Sequence, residues 1–338
     1  MSNMDIGIDL GTANIIITMG NKMIANEPSV VAFDTKKQEV IAVGKDAYKM
    51  LGRTPKHIIV RKPLEDGVIS DHELTMMMIR EFVQKASRNL MIKPQIIICV
   101  PSAVTGVENR AVVDAALSAG ARKVYLIKEP IAAILGAGID IDKADGSMVI
   151  DIGGGTCDVA VVSFNGIVDS STLKMAGNKF DAAIIKYFVN RDKILIGEKM
   201  AEEAKMTIGC VFNPNPDNTM IVKGRHLIEG LPRGVQVSEV EMCEALLPCA
   251  MEIVAQVKAI FEKTPPELVG DILSSGIIMT GGGAMLGGFA ELITHHLKCP
   301  CKVAENPLEC VALGAAKAFE VADSLLDGFE KISVYKHK

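Results

Sequence analysis

Val149-Ile150-Asp151-Ile152-Gly153-Gly154-Gly155-Thr156-Cys157-Asp158-Val159-Ala160-Val161-Val162 reads as two apolar strands joined by a glycine turn, with an aspartate on each side. Glycine has no Cβ, so Gly153, Gly154 and Gly155 can turn tightly and bring backbone N–H groups against an anion. Asp151, at the end of the incoming strand, is placed to hold a hydrated metal ion beside that anion. Taken alone, the turn fits an ordinary tight hairpin equally well.

The pattern occurs twice. Ile6-Gly7-Ile8-Asp9-Leu10-Gly11-Thr12-Ala13-Asn14-Ile15-Ile16-Ile17 has the same order of apolar residue, aspartate, apolar residue and glycine, followed by an apolar strand. Asp9 and Asp151 are 142 residues apart, too long a period for a solenoid. The spacing suits two similar domains facing each other across a cleft, with each hairpin gripping one polyphosphate and its Mg²⁺ from its own side.

A length of 338 residues accommodates about two domains. With 49% hydrophobic and 23% charged residues the chain can build a large core and does not read as disordered. A net charge of −5 argues against nucleic acid as a partner. The eight cysteines are expected to be reduced thiols of a cytoplasmic protein. Cys299-Pro300-Cys301 is the only close pair and a zinc site would need a second pair or histidines at ligand spacing, so a metal held with the nearby His295 and His296 stands only as the lesser alternative. No run of 18 apolar residues occurs, and Asp9 interrupts the first apolar stretch, so neither a membrane span nor a secretory signal is expected.

Further strands are expected between Asn21 and Val43, and a helix from His72 to Leu90. Ile96 to Val100 is a continuous apolar run ended by Pro101, as in a strand buried on both faces. A helix from Gly106 to Ser118 and a strand from Val124 to Ile127 complete an α/β alternation. Glu129 then stands at a strand-to-helix junction, with Pro130 in the first helical turn. There it can serve as a helix-dipole partner or orient an attacking water. Glu202 and Lys205, three apart, fit an exposed ion pair on one helical face. Ser238 to Glu241 forms a capping box for a long helix reaching Lys263, with Pro248 expected to kink it. The strand at Gly276 to Thr280 runs into Gly281-Gly282-Gly283-Ala284-Met285, with a helix expected from Leu286 to Leu297. This third glycine element is placed to receive a nucleoside beside the two hairpins. An alanine- and glycine-rich helix from Pro307 to Phe319 is expected to return to the first domain.

In this order the elements resemble the actin, Hsp70 and sugar-kinase superfamily, and within it the MreB family of bacterial actins. The resemblance covers about residues 5 to 322 and rests on IDLGTAN (8–14), NEPSVVA (26–32), LGRTP (51–55), DGVISD (66–71), EPIAA (129–133), GSMVIDIGGGT (146–156), PRG (232–234), PPEL (265–268) and TGGGAML (280–286). It implies an α/β actin-like fold of two RNase H-like domains facing a nucleotide cleft, each with an inserted subdomain. The first domain would comprise 1–33, 67–145 and 313–338, with 34–66 inserted. The second would comprise 146–180 and 237–312, with 181–236 inserted.

The resemblance also implies an ATPase that polymerises on ATP into double protofilaments at the inner face of the cell membrane, where it would work with membrane proteins of cell shape or wall synthesis. ATP or ADP would lie against Asp9, Gly11, Thr12, Ala13 and Asn14 on one side and Gly153, Gly154, Gly155 and Thr156 on the other. Asp9 and Asp151 would act on Mg²⁺ through water, while Glu129 and Thr156 would position the attacking water. Glu202 and Lys205 would meet ribose and adenine, with Gly281, Gly282, Gly283, Ala284 and Met285 against the base. Two departures bear on hydrolysis: many relatives carry an acid where Lys128 stands, and Thr-Glu where Cys157-Asp158 stand. The resemblance thus implies a hydrolysing filament protein that determines cell shape, and a filament-forming ATP-binding switch with very slow hydrolysis, serving shape or motility, is a competing expectation. A chaperone of this superfamily would need a substrate-binding domain after Ala318, and a sugar kinase a catalytic aspartate near a sugar pocket. The amphipathic N-terminal helix of some members has no counterpart here, so the membrane contact is expected at the apolar tip Leu90-Met91-Ile92, between Arg88 and Lys93.

Overall fold

A computed structural model describes residues 5–20, 22–88, 92–101, 104–322 and 324–332. Both aspartate-glycine motifs open a sheet in the same way. β1 (Ile6–Leu10) turns back antiparallel into β2 (Asn14–Met19), which pairs with β3 (Lys22–Pro28). β4 (Val31–Asp34), β5 (Glu39–Val43) and β6 (Ile58–Arg61) form a separate small sheet carrying α1 (Lys45–Met50), and β7 (Leu64–Glu65) with β8 (Val68–Ile69) forms a short hairpin. α2 (His72–Ser87), β9 (Gln95–Val100), α3 (Gly106–Ser118), β10 (Lys123–Lys128) and α4 (Glu129–Gly136) follow. The apolar run in β9 lies parallel between β1 and β10, where helices cover both faces and alternation with polar residues is unnecessary.

The second motif repeats the construction. β11 (Ser147–Ile152) turns antiparallel into β12 (Cys157–Ser163), which pairs with β13 (Gly166–Leu173). α5 (Gly177–Asp192), β14 (Ile194–Leu195), α6 (Glu198–Ile208), β15 (Thr219–His226) and β16 (Pro232–Ser238) come next, the three strands forming a small sheet. α7 (Glu239–Lys263) starts on the expected capping box, in which Ser238 N donates to Glu241 Oε2 at 2.7 Å, and it continues through Pro248. After α8 (Pro266–Ser275), β17 (Ile277–Thr280) joins β11 in parallel, as β9 joins β1. α9 (Phe289–Leu297) and β18 (Cys301–Val303) complete this half. α10 (Cys310–Val321) and β19 (Phe329–Ile332) then return to the first sheet, where β19 pairs with β10. The strand orders are β19-β10-β9-β1-β2-β3 and β13-β12-β11-β17-β18.

The expected helix from Leu286 is corrected. Gly282–Met285 forms a 3₁₀ turn, and α9 begins only at Phe289. Gly287 is occupied elsewhere: its N–H donates to Gly209 O at 3.1 Å and its carbonyl accepts from Val211 N at 2.8 Å. The helix expected from Pro307 likewise begins at Cys310.

Each large sheet has its own apolar core, and a third apolar cluster joins them. α4 and α10 cross there almost backbone to backbone. A Cβ on Gly314 would stand 1.7 Å from Ala132 O, and one on Gly136 would stand 1.8 Å from Cys310 O. No larger residue fits at either crossing point without moving a helix.

Candidate nucleotide site

The β1–β2 and β11–β12 turns meet face to face between the two large sheets. A Cβ on Gly154 would lie 2.5 Å from Ala13 Cβ, and one on Gly155 would lie 2.5 Å from Thr12 Oγ1. Only glycine permits this approach, which explains the residue type at both positions. Gly67, in the β7–β8 turn, closes a third side: its N–H donates to Thr12 Oγ1 at 3.2 Å, and a Cβ there would meet Thr156 Cγ2 at 2.4 Å. The start of α5 docks on the second turn, with Gly177 N donating to Gly153 O at 3.1 Å and Asn178 N to Gly154 O at 2.8 Å.

Behind the turns lies a group of carboxyls. Asp151 and Glu129 are each 6% exposed and Asp158 is 1% exposed, while Asp9 is half-buried. Asp158 accepts from Thr172 Oγ1 at 2.7 Å. Burial, with the charge of Asp151, pushes the Asp9 carboxyl up to about 8. Burial pushes Asp151 up to about 6, a hydrogen bond from Thr280 holding it down and the charge of Asp158 adding to the rise. Glu129 is raised well above the ordinary carboxylate range by burial first and then by Asp158, Asp9 and Asp151. Neighbouring acids that hold protons against one another form an environment that a cation would relieve. Among the described residues no three His, Cys, Asp or Glu side chains converge to hold a bare metal. Asp9 and Asp151 could hold a divalent ion that keeps much of its water shell, as Mg²⁺ does.

Asp9, Gly11, Thr12, Ala13 and Asn14 are thus brought opposite Gly153, Gly154, Gly155 and Thr156, with Asp151 and Glu129 at the base. Lys205 lies on the wall beside them, donating to Gly177 O at 3.0 Å and pairing with Asp181 at 2.8 Å. Glu202 accepts from Tyr48 Oη at 3.0 Å across the cleft. Glu202 and Lys205 are therefore engaged with separate partners, and the exposed i,i+3 pair suggested by their spacing is not the arrangement found. Gly281 and Gly283 have a packing role: a Cβ on either would stand 2.3 Å from Ile152, so they let the turn rest on β11 next to the second hairpin. Gly282 sits between them, the Ala284 methyl is in the core, and the Met285 side chain is 61% exposed. Leu90 and Met91 lie outside the described residues, and Ile92 is 56% exposed.

Several participants escaped the sequence reading. Thr280 Oγ1 donates to Asp151 Oδ1 at 2.7 Å because β17 pairs with β11 in a register that sets Thr280 opposite Asp151. Its position immediately before the glycine run was the available signal. Lys179 pairs with Asp66 at 3.2 Å across the cleft, and Tyr48 carried no local signal at all. Lys128 is engaged by Asp327 at 3.6 Å.

Comparison with known proteins gives the family and the fold. The family model described as MreB/Mbl protein matches residues 3–327. The chain is 46% identical over 323 residues to the cell shape-determining protein Mbl of Bacillus subtilis, covering 95% of this chain and 97% of that protein. It is 44% identical over 330 residues to the cell shape-determining protein MreB of Escherichia coli, covering 96% and 95%. The crystal structure of MreB5 of Spiroplasma citri bound to AMPPNP superposes with a TM-score of 0.88 at 35% identity, covering 96% of this chain and 98% of that one. The fold is therefore the actin-like α/β fold, and the chain belongs to the MreB/Mbl family.

Proposed function

We propose that this chain binds Mg·ATP between its two glycine turns, hydrolyses it slowly, and assembles with ATP into double protofilaments at the inner face of the cell membrane. The observation that carries the reading is the pair of turns held in contact over Asp9, Asp151 and Glu129. Backbone N–H groups of Gly11 to Asn14 and of Gly154 to Thr156 supply neutral donors to the phosphates, while Gly153 N–H closes the turn on Thr156 O at 2.9 Å, and Asp9 and Asp151 would hold the hydrated cation. Mg²⁺ supplies charge compensation on the phosphate oxygens. Glu129, at the N-terminus of α4, is the base. Burial, Asp158, Asp9 and Asp151 all raise its proton affinity, so balancing the charges of Asp9 and Asp151 favours its ionised form, which takes a proton from a water held with Thr156 Oγ1.

Glu202, Lys205 and the turn at 281–285 form the nucleoside wall. Assembly multiplies weak membrane contacts at Leu90, Met91 and Ile92, so a filament stays bound where a monomer leaves. Membrane proteins of cell shape or wall synthesis would be the partners there.

Sedimentation with ATP and with a non-hydrolysable analogue, alongside phosphate release, tests this reading. ATP-dependent pelleting with slow phosphate release is expected, and Asp151→Ala should abolish both. Unchanged ATP affinity and pelleting in Asp151→Ala would remove the turns from the mechanism.

A second reading, an ATP-binding filament switch that scarcely hydrolyses, is favoured by Lys128, which places a cation paired with Asp327 directly before Glu129. Lys128→Glu separates the two: faster phosphate release supports the switch, and an unchanged rate supports the first reading.

A further inference from the structure

The nucleotide reading uses Glu202 but leaves unused the side chains beside it, Tyr48 and Lys199, that tie the two halves together. Tyr48, on α1, reaches from the first half to the second and is held by α6 at three points. Its Oη donates to Glu202 Oε2 at 3.0 Å. Its carbonyl accepts from Lys199 Nζ at 3.0 Å, and the same Nζ lies 4.2 Å above the centre of its ring. The other end of the residue is anchored in a small core of Val30, Ala32 and Ala47. Lys62 and Glu198, 3.3 Å apart, add an exposed ion pair beside it, which by itself contributes little. The Tyr48 hydroxyl differs: it is half-buried and donates to a carboxylate, the stronger class of hydrogen bond. Tyrosine has two side-chain torsions, so holding it costs little conformational entropy. Burial and the Glu202 charge push the phenol up to about 12, which keeps it a donor.

A carboxylate has two oxygens that accept only. With Oε2 accepting from Tyr48, Glu202 keeps further lone pairs, those of Oε1 first among them, for a ligand's donors, at an orientation set from the opposite half of the molecule. We propose that Tyr48 is a positioning residue for nucleoside recognition, aiming Glu202 at the hydroxyls of the ribose and making that contact available only when the cleft is closed. The inference rests on the nucleotide reading above. It identifies the preferred ligand as a nucleotide with an intact 2′,3′-diol.

The test compares ATP with 2′,3′-dideoxy-ATP, both with Mg²⁺, by calorimetry on the full chain. The wild type should prefer ATP. Tyr48→Phe keeps the ring and its contact with Lys199 but removes the hydroxyl. It should bind ATP about tenfold more weakly, the usual scale for one hydrogen bond to a charged group, while its affinity for the dideoxy analogue stays within about twofold. Glu202→Ala should lower the same preference, and adding Tyr48→Phe to it should change nothing further. Equal weakening of both ligands in Tyr48→Phe would overturn the inference by showing a general effect on the cleft. Full retention of the ATP preference would overturn it too. A wild type that binds neither ligand would instead overturn the nucleotide reading on which it stands.

Discussion

Thr280→Val removes one hydroxyl beside the proposed metal-facing carboxyl while leaving the volume of the side chain nearly unchanged. In the wild type Thr280 is 0% exposed and its Oγ1 donates to Asp151 Oδ1 at 2.7 Å. A hydrogen bond to an ionised group contributes about 1.5–3 kcal/mol, and one pKa unit corresponds to about 1.4 kcal/mol. Losing the bond should therefore raise Asp151 by roughly one to two units above its wild-type position of about 6. Asp151 is ionised above its pKa, and only the ionised form attracts a divalent cation. With Asp9 the same in both proteins, the midpoint of Mg²⁺-dependent ATP binding between about pH 5 and 9 should thus lie roughly one to two pH units higher in the variant than in the wild type. Titrating ATP at fixed Mg²⁺ across this range would show the two proteins alike at both extremes. Between the two midpoints the variant should be weaker by about two- to tenfold. Coincident curves would refute the argument by reducing Thr280 to a packing residue. Equal weakening at every pH would refute it as well, by pointing to a distorted strand pair.

Glu129→Gln should bind ATP and pellet with it, yet release phosphate about 10²-fold more slowly; unaltered release would leave the residue only a dipole partner. Asp9, raised from 3.8 to about 8, binds more protons in the folded than in the unfolded chain between those values. The nucleotide-free protein should therefore lose stability as pH rises through that window, and Asp9→Asn should flatten the slope. Thermal melts with equal slopes for both proteins would contradict this. Leu90→Ser combined with Ile92→Ser should leave ATP-driven assembly intact but release filaments from anionic liposomes in flotation, whereas co-flotation equal to wild type would place the membrane contact elsewhere.

The sequence by itself determined what depends on neighbours along the chain. The two aspartate-glycine turns, the buried run at Ile96 to Val100, the helix Gly106–Ser118 and the capping box at Ser238 are written in stretches of a few residues, where side-chain period, missing Cβ atoms and local hydrogen bonds decide the conformation. The α/β class followed from the order of those stretches, and the likeness of the two halves from their repetition. The start of α9 was misplaced because the residue that delays it, Gly287, is tied to Gly209 and Val211. The same separation hid the finer parts of the site. Thr280 meets Asp151 across 129 residues and Tyr48 meets Glu202 across 154. The raised pKa values of Asp9 and Glu129 arise from burial first and then from acids that α4, β1, β11 and β12 bring together. Only the tertiary structure decided these features, because burial and charge repulsion depend on what lies within a few ångströms in space, and sequence adjacency does not specify that.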